Sequence, residues 1–436
     1  MLTVAYLANL FPSAVEPYVV EEIEELRRRG VRVIAGSVRR PGIDDALLTR
    51  CAPEVVLRRL SMVILLRAMW LCVRRANRLW SPIARVAFRG REGLLQRFKA
   101  LAHTGLGACY AALLQGCGVD HIHVHHGYFG SWIAMIAARL LGVGFSMTLH
   151  GSDLLLHGVY LDAKLESCTF CLTVSEYNRR YILKRYPGAD AAKVVVSRLG
   201  VEISERPERP VPRRRAEGTP LRLLAVGRLR AVKNHAFLVR ACGQLRGRGV
   251  RFECSIAGEG PERGNLEALI RYCDLKDRVR LLGHVPRERM HLFYDQADVL
   301  VLTSRSEGIP LVLMEAMARG AIVLAPAITG IPELVLAGKT GFLYEPGSLE
   351  GFVDRLLFIR SLMDAPGLPR VRVGEASAAE RSVARRLDWV RHAARVHVRN
   401  NFNRKDNLES FGDLFMQRIA PRTESHPDEN LVLQQI

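Results

Sequence analysis

Two glutamates, Glu307 and Glu315, are separated by seven residues and follow an apolar run. Pro310 between them predicts the first residue of a helix, because a proline at that position loses no intrahelical hydrogen bond. A helix start offers free N–H groups with partial positive charge, and these suit a phosphate. The residues that would present such groups are Gly308, Ile309 and Leu311. This arrangement predicts a site for a sugar nucleotide, whose diphosphate needs N–H donors and whose hydroxyls need carboxylates.

Two cations lie in a second loop, where Arg228 and Lys233 follow a strand predicted for residues 221–226. An arginine can bind a diphosphate through two parallel hydrogen bonds, whereas a lysine acts as a point charge. Both could therefore hold the phosphates of the same ligand. The alternative, a solvated basic loop without a ligand, stays open at this point.

Histidines cluster around two predicted strands. His150 follows the strand predicted for residues 145–149, and open α/β sheets place their chemistry at the carboxyl ends of strands. A lone histidine there is nevertheless more often structural. His121, His123 and His125 share one face of an earlier strand by its period of two. No cluster of carboxylates or cysteines with ligand spacing accompanies them, so the pattern does not favour a metal site.

The elements that must position these residues alternate between short apolar runs and stretches of helical periodicity. Such strand–helix–strand units with short links predict parallel pairing. In the first half, strands are predicted at residues 2–8, 31–36, 145–149, 169–174 and 193–197. In the second half, they are predicted at residues 221–226, 252–257, 279–282, 299–303, 321–325 and 341–344. The fold class is therefore α/β, with two doubly wound parallel sheets. The first turn lacks G-x-G-x-x-G, which argues against a dinucleotide site there.

Composition divides the chain into four parts. Residues 1–205 form the first domain, and the Pro- and charge-rich residues 206–220 read as a linker. Residues 221–394 form the second domain. Residues 395–436 are predicted to hold a final helical pair, 395–419, that crosses back to the first domain, and a tail from 420 that lacks order.

Size and composition are those of a soluble globular protein. The chain has 436 residues, of which 49% are hydrophobic and 25% charged, enough for two or three domains with real cores. Its nine cysteines are scattered, and no secretory signal begins the sequence, which favours reduced thiols and a cytoplasmic location. Cys168 and Cys171 form a lone C-x-x-C, better explained by packed thiols than by zinc or redox chemistry.

The formal net charge of +19 is concentrated in residues 58–99, where eleven Lys or Arg face one acid, Glu92. Trp, Leu and Met side chains are interleaved with these charges at helical spacing. The pattern predicts an interfacial helix on an anionic membrane surface, since its longest uncharged run is far too short to cross a bilayer. An ordinary basic helix packed on its own domain explains it equally well. Nucleic acid is not expected as a partner, because no binding module accompanies the charge.

The two-glutamate segment resembles the donor-site signature of retaining GT-B glycosyltransferases of family 4. The resemblance covers nearly the whole chain and includes Gly227-Arg228-Leu229-x3-Lys233 and the segment around His150-Gly151-x-Asp153. The opening, residues 11–30, is similar to that of members that build exopolysaccharide repeats, although Val15-Glu16-Pro17-Tyr18 departs from their usual Ser-Glu-Thr-Phe. Thr329-Gly330 likewise departs from the commoner Gly-Gly.

The resemblance implies a GT-B fold, in which an acceptor-side domain faces a nucleotide-sugar domain across a cleft. It implies a UDP- or GDP-linked sugar as donor, and a lipid-linked or polysaccharide acceptor. Arg228 and Lys233 would hold the diphosphate and Glu315 the ribose, while Glu307 and His150 would act on the sugar. No metal or other cofactor is expected, because the cations replace Mg²⁺ and the sequence has no Asp-x-Asp. The expected location is the inner face of the cell membrane, as a peripheral protein. The rival functions are a nucleotide-sugar 2-epimerase and a non-catalytic membrane-associated scaffold.

Overall fold

The structure is a computed structural model that describes residues 1–13, 16–39, 51–57, 60–88, 92–156, 158–203, 218–364 and 378–420. For residues 378–385 only the backbone is described. Several predicted features lie outside these ranges. They are residues 206–217 of the predicted linker, residues 421–436 of the predicted tail, Val15, and Arg58, Arg59, Arg89 and Arg91 of the basic segment.

The first half of the chain forms a seven-stranded parallel sheet in the order β3-β2-β1-β4-β5-β6-β7. Its strands are β1 (Thr3–Leu10), β2 (Arg32–Arg39), β3 (Val55–Val56), β4 (His121–His125), β5 (Gly144–Leu149), β6 (Phe170–Thr173) and β7 (Val194–Val196). Its helices are α1 (Pro17–Arg28), α2 (Met62–Arg74), α3 (Ala76–Ala87), α4 (Leu94–Leu114), α5 (Phe129–Leu141), α6 (Ser152–Leu155), α7 (Leu161–Ser167) and α8 (Glu176–Arg185). Helices cover both faces, which is why its strands read as continuous apolar runs.

The second half forms a six-stranded parallel sheet in the order β10-β9-β8-β11-β12-β13. Its strands are β8 (Leu221–Val226), β9 (Phe252–Ala257), β10 (Val279–Gly283), β11 (Val299–Val301), β12 (Ile322–Pro326) and β13 (Phe342–Tyr344). The remaining helices are α9 (His235–Gly247), α10 (Arg263–Tyr272), α11 (Arg287–Gln296), α12 (Leu311–Ala318), α13 (Ile331–Leu334), α14 (Leu349–Asp364), α15 (Ala378–Asn401) and α16 (Arg404–Ile419). The expectation of two doubly wound α/β sheets is confirmed.

The last two helices join the domains. Helix α15 begins at Ala378, earlier than the predicted start at 395, and packs on the second domain through residues such as Val390 and Val398. Helix α16 instead covers the first sheet, where Phe415 is buried beside Phe170. The link between them pairs with the segment after β7, since the Val201 N–H donates to the Phe402 carbonyl at 2.9 Å. The two interdomain connections are therefore hydrogen-bonded to each other.

Strand order reverses between β1 and β4 in the first sheet, and between β8 and β11 in the second. In open α/β sheets, such switch points open a crevice at the carboxyl ends of the strands, where ligands bind. His125 and His126 end β4, and the loop with Arg228 follows β8. The Glu307 loop follows β11. The topology thus brings the candidate residues of each half to one edge of its sheet.

The buried cysteines and the basic segment can now be located. Cys168 and Cys171 are free and buried, and burial raises the pKa of Cys168 to about 12, as expected of packed thiols. Helices α2, α3 and the start of α4 contain the described part of the basic segment. Among the described helices, none combines the length and apolar character needed to cross a bilayer.

Candidate active site

The donor loop, residues 303–310, runs from the end of β11 to the start of α12. Pro310 is the N-cap and Leu311 the first helical residue, so the prediction that placed Pro310 at the first helical position is wrong by one residue. The reason is its extended ψ of 121°, which keeps it outside the helix. Within the described part of the chain, the N–H groups of Gly308, Ile309 and Leu311 make no backbone hydrogen bond. The Ile309 side chain itself is only 6% exposed and packs in the core, so it can offer a ligand its N–H alone.

Gly308 lies directly against the His150 turn of the first domain. A Cβ on Gly308 would come within 2.1 Å of the His150 carbonyl oxygen, and one on Gly151 within 2.8 Å of the Gly308 nitrogen. No other residue type fits at either position without moving the backbone. The structure therefore joins the donor loop and His150 across the cleft between the domains.

Lys233 and Glu307, 74 positions apart, form an ion pair of 2.6 Å. Lys233 ends a short 3₁₀ turn, Ala231–Lys233, and its carbonyl accepts from the Thr303 hydroxyl at 3.0 Å. Arg228 is exposed and makes no ion pair with the described residues. The two predicted cations thus differ, since the Lys233 ammonium is shared with a carboxylate and the Arg228 guanidinium forms no ion pair among the described residues.

Glu315 lies on α12, and its Oε2 accepts a 2.6 Å hydrogen bond from the Tyr294 hydroxyl of α11. Burial, together with the charge of Glu315, raises the pKa of Tyr294 well above its ordinary value. Tyr294 therefore remains a donor that fixes one carboxylate oxygen and leaves the other for a ligand. Sequence analysis missed Tyr294, because a tyrosine 21 positions before a glutamate gives no local signal.

His150 follows β5 and is held by three contacts. Its Nε2 lies 2.9 Å from Nδ1 of His125, and its ring packs on Tyr18, with centroids 4.7 Å apart. Its backbone N–H donates to Oδ1 of Asp153 at 3.1 Å. Burial lowers the pKa of His150 well below the ordinary histidine value, and the charge of His126 lowers it further. His150 is therefore a neutral imidazole at neutral pH.

Beside it lies a cluster that sequence analysis did not single out, formed by Glu16, His126 and Asp153. Nε2 of His126 is 3.0 Å from Glu16, and Nδ1 is 3.6 Å from Asp153. Burial opposes a charge on His126, but these two carboxylates outweigh it and raise its pKa to about 10. His126 also has a φ of +71°, a left-handed conformation uncommon outside glycine. Such strain at a strand end is typical of a functional site.

His121 and His123 are hydrogen-bonded to strand hydroxyls, and the His123 ring also packs edge-on against His125, with centroids 5.4 Å apart. Both approach Oγ of Ser146 at 2.7 Å, and His123 also lies 3.1 Å from the Thr148 hydroxyl. Glu22, His123 and His125 do bring one ligand atom each within 4.8 Å of the others. All three side chains are engaged in hydrogen bonds with one another or with their neighbours, which describes a polar core more fully than a metal site.

Two further segments, the one that contains Thr329 and Glu333 and the Gly258–Gly260 turn, lie beside the residues described above. Glu333 of α13 accepts hydrogen bonds from the N–H groups of Glu176 and Tyr177, at 3.0 and 2.6 Å, and so caps α8 of the other domain. The Thr329 hydroxyl donates to the Glu307 carbonyl at 2.6 Å. The Gly258–Gly260 turn packs against the Arg228 loop, since a Cβ on Gly258 would lie 2.0 Å from the Gly227 oxygen.

Two family models match this chain, one in each half. The model of the family "Glycosyltransferase Family 4" matches residues 15–205, and that of "Glycosyl transferases group 1" matches residues 210–372. The amylovoran biosynthesis glycosyltransferase AmsK of Erwinia amylovora is 30% identical over 329 residues, which cover 72% of this chain and 74% of AmsK. WcaL of Salmonella typhimurium, named as a colanic acid biosynthesis glycosyltransferase, is 38% identical over 175 residues. That match covers 39% of this chain and spans less than half of WcaL, 42%.

A solved structure agrees with the fold. HepE of Anabaena in complex with UDP superimposes with a TM-score of 0.64 at 16% identity, covering 96% of this chain and all of HepE, 100%. Two family models that together span both sheets, and a relative matched over most of its length, point to the same group as the motifs. The chain therefore belongs to glycosyltransferase family 4, among the group 1 glycosyl transferases, and its two facing parallel-sheet domains form a GT-B fold.

Proposed function

We propose that this chain is a retaining glycosyltransferase that moves a sugar from a UDP- or GDP-linked donor to a lipid-linked or polysaccharide acceptor. The observation that carries the proposal is the contact between the donor loop and the His150 turn. It brings free N–H groups, two cations and two carboxylates of one domain against a neutral histidine of the other. A nucleotide sugar has complementary groups: a diphosphate, a ribose and a sugar ring.

The donor's diphosphate would lie between Arg228, Lys233 and the start of α12. These groups stabilise the negative charge that grows on the leaving phosphate as the glycosidic bond breaks. Since Lys233 is shared with Glu307, binding of a phosphate must weaken that ion pair and free Glu307 to accept from a sugar hydroxyl. Glu315, held by Tyr294, would accept from the ribose hydroxyls. The two cations supply the charge that a metal ion supplies elsewhere, and we expect no metal requirement.

The acceptor class is proposed from the relatives and from the surface. AmsK is named for amylovoran biosynthesis and WcaL for colanic acid biosynthesis, which supports a reaction of the same kind here. The surface of α2–α4 fits a location beside a membrane, where a lipid-linked acceptor would lie. Large apolar side chains are exposed there, among them Trp70 at 51%, Val73 at 80% and Phe98 at 71%.

The membrane proposal rests on how α2 packs. Only Ala68 and Leu71 of this helix are buried, so a narrow stripe holds it on the domain while most of its other apolar side chains face solvent. Arg67 and Arg74 are exposed on the same helix. An apolar face bordered by arginines complements an anionic lipid surface. The alternative of a basic helix simply packed on its own domain leaves this second apolar face without a function.

Nucleotide binding tests the donor site. Lys233→Ala and Glu315→Ala should each weaken UDP or GDP binding by roughly 1.5–3 kcal/mol, the usual loss for a charged hydrogen bond. In titration calorimetry this corresponds to a Kd about 10 to 100 times higher. Lys276→Ala and Glu253→Ala, exposed residues of the same domain, are the matched controls.

Wild-type affinity in both site variants would remove the donor-site assignment. The product then tests the reaction: NMR should show a new linkage with the anomeric configuration of the donor. An inverted linkage would refute the retaining mechanism. A donor that is epimerised when incubated without acceptor would favour the 2-epimerase instead.

A further inference from the structure

Three side chains from three elements form a continuous line that ends at the cleft. Oε2 of Glu22, on α1, lies 2.9 Å from Nε2 of His125, at the end of β4. Nδ1 of His125 lies 2.9 Å from Nε2 of His150, which follows β5. The Tyr6 hydroxyl of β1 also donates to Glu22. Glu22 and His125 are buried, with side chains 6% and 0% exposed, so only His150 can reach a ligand.

The order of donors and acceptors along this line determines the tautomer of His150. A carboxylate only accepts, so the Nε2–H of His125 donates to Glu22. With that single ring proton, His125 keeps a lone pair on Nδ1, which accepts from the Nε2–H of His150. His150 is left with a lone pair on Nδ1, which makes no hydrogen bond to the part of the chain that the structure describes. The buried carboxylate of Glu22 thereby fixes the tautomer of His150, although His125 lies between them.

Packing alone does not explain a carboxylate at position 22. Its neighbours on the buried face of α1 are Val19, Ile23 and Leu26, and an apolar residue there would avoid the cost of burying a charge. The neighbouring histidines, His121 and His123, are satisfied by hydroxyls and need no carboxylate. The carboxylate of Glu22 is therefore explained by its hydrogen bond to His125, which in turn contacts His150 at the cleft.

We propose that Glu22 and His125 are positioning residues that hold His150 with Nε2 protonated, so that its Nδ1 accepts a hydrogen bond from a hydroxyl of the donor sugar. The inference deepens the proposed function and rests on it for the identity of that ligand. The tautomer itself can be observed without any substrate. Failure of the transferase assignment and failure of this inference are therefore distinguishable.

The first experiment measures kinetics. Glu22→Gln keeps the shape but allows an amide N–H to face His125, which reverses the donor order along the line. The kcat should fall on the order of 10²-fold, the cost of misplacing a reacting group, while the KM for the donor changes less than about threefold. Glu22→Asp, which keeps the charge, should restore part of the kcat. Ser146→Ala removes the hydroxyl shared by His121 and His123 on the same sheet, outside the line, and should leave kcat near wild type.

The second experiment reads the tautomer by long-range ¹H–¹⁵N NMR of histidine-labelled protein, with His150→Gln used to assign the His150 signals. In the wild type, Nε2 should be protonated and Nδ1 not, and Glu22→Gln should reverse or mix the two. A His150 protonated at Nδ1 in the wild type would overturn the inference. So would a Glu22→Gln enzyme whose kcat stays within about threefold of wild type. If Glu22→Gln does not fold, Glu22→Asp and the wild-type spectrum still decide.

Discussion

At the scale of single residues, the neutral state of His150 is the most consequential feature of the cleft. The positive charge nearby is held by His126, between Glu16 and Asp153, and not by the His150 ring. Although burial opposes it, the contact with His126 holds the pKa of Asp153 well below its ordinary value. Two adjacent histidines thus differ in protonation state because one has carboxylate partners and the other a histidine partner. This division of roles favours a hydrogen-bonding function for His150 over a simple electrostatic one.

His150→Ala should therefore reduce turnover and spare nucleotide binding. The kcat should drop by about 10² or more, as expected for a lost positioning or proton-transfer group, because the imidazole would contact the sugar and not the nucleotide. Steady-state kinetics with calorimetry on UDP and GDP measure both effects. His103→Ala removes another half-buried imidazole, one that stacks on Phe129 at 5.0 Å away from the cleft, and serves as control. A fully active His150→Ala enzyme would exclude the assigned role.

At the scale of elements, the first turns of two helices, α12 and α8, lie at the cleft and differ in what their N–H groups bind. At the start of α12, N–H groups make no backbone hydrogen bond to the described residues, whereas at the start of α8 the N–H groups of Glu176 and Tyr177 donate to Glu333 of the other domain. Ser175, the N-cap of α8, accepts from the Asn178 N–H at 3.1 Å. Because Glu333 belongs to one domain and α8 to the other, this capping contact depends on how the two domains are oriented. Glu333 therefore links the stability of α8 to the closed arrangement of the cleft.

Glu333→Ala should loosen this contact without unfolding either domain. Loss of a capping side chain costs about 0.5–2 kcal/mol, which shifts the balance between closed and open arrangements by up to about 30-fold. Hydrogen exchange at the N–H groups of Glu176 and Tyr177 should accelerate, and small-angle scattering should show a larger radius of gyration. Ser175→Ala, which removes only the cap within the domain, should affect Asn178 and not the radius. Unchanged exchange at residues 176 and 177 in Glu333→Ala would disprove the link.

At the scale of the whole molecule, charge and apolar surface coincide on one side of the first domain. Not every arginine of the basic segment is available for lipid: Arg78 donates to the Arg139 carbonyl at 3.1 Å, and Arg85 pairs with Glu92 and Asp162. Arg78 thereby joins α3 to α5, and Arg85 joins α3 to Glu92 and to Asp162 of α7. Arg67 and Arg74 remain exposed, and the Arg74 guanidinium lies 4.9 Å from the Trp70 ring. The membrane hypothesis is thus best tested at these two arginines.

Arg67→Glu with Arg74→Glu should release the protein from anionic vesicles. Each basic residue near such a surface contributes about 1 kcal/mol, so reversing two should weaken binding at least 10-fold. Sedimentation with vesicles of phosphatidylglycerol and phosphatidylcholine measures this, and added salt should weaken wild-type binding by screening. Arg271→Glu with Lys276→Glu changes the net charge equally on the second domain and should have little effect. Equal sedimentation of the wild type with neutral and anionic vesicles would contradict the membrane proposal.

The sequence by itself determined the elements and the family. Apolar runs such as residues 145–149 must be strands in a sheet covered on both faces, and short links force parallel pairing. The Glu307–Glu315 spacing and the Arg228–Lys233 loop were recognisable because each lies within one strand–turn–helix unit. In such a unit the local backbone sets the relative position of the side chains. Errors at this level were small, as with Pro310, which lies one residue before the helix it was predicted to begin.

Only the tertiary structure decided which of these side chains meet. Glu22 and His125 are 103 positions apart, and Lys233 and Glu307 are 74 apart. The second contact exists because the loops of Lys233 and Glu307 follow β8 and β11, neighbouring parallel strands that end at one edge of the sheet. Strand order, and not distance along the sequence, decides which residues are close. Because β4 lies between β1 and β5, His125 can contact both Glu22 of α1 and His150 after β5. For α2, the sequence left two interpretations open, a membrane-facing helix and a basic helix packed on its own domain. Only the fold shows that the buried part of this helix is a narrow stripe, Ala68 and Leu71.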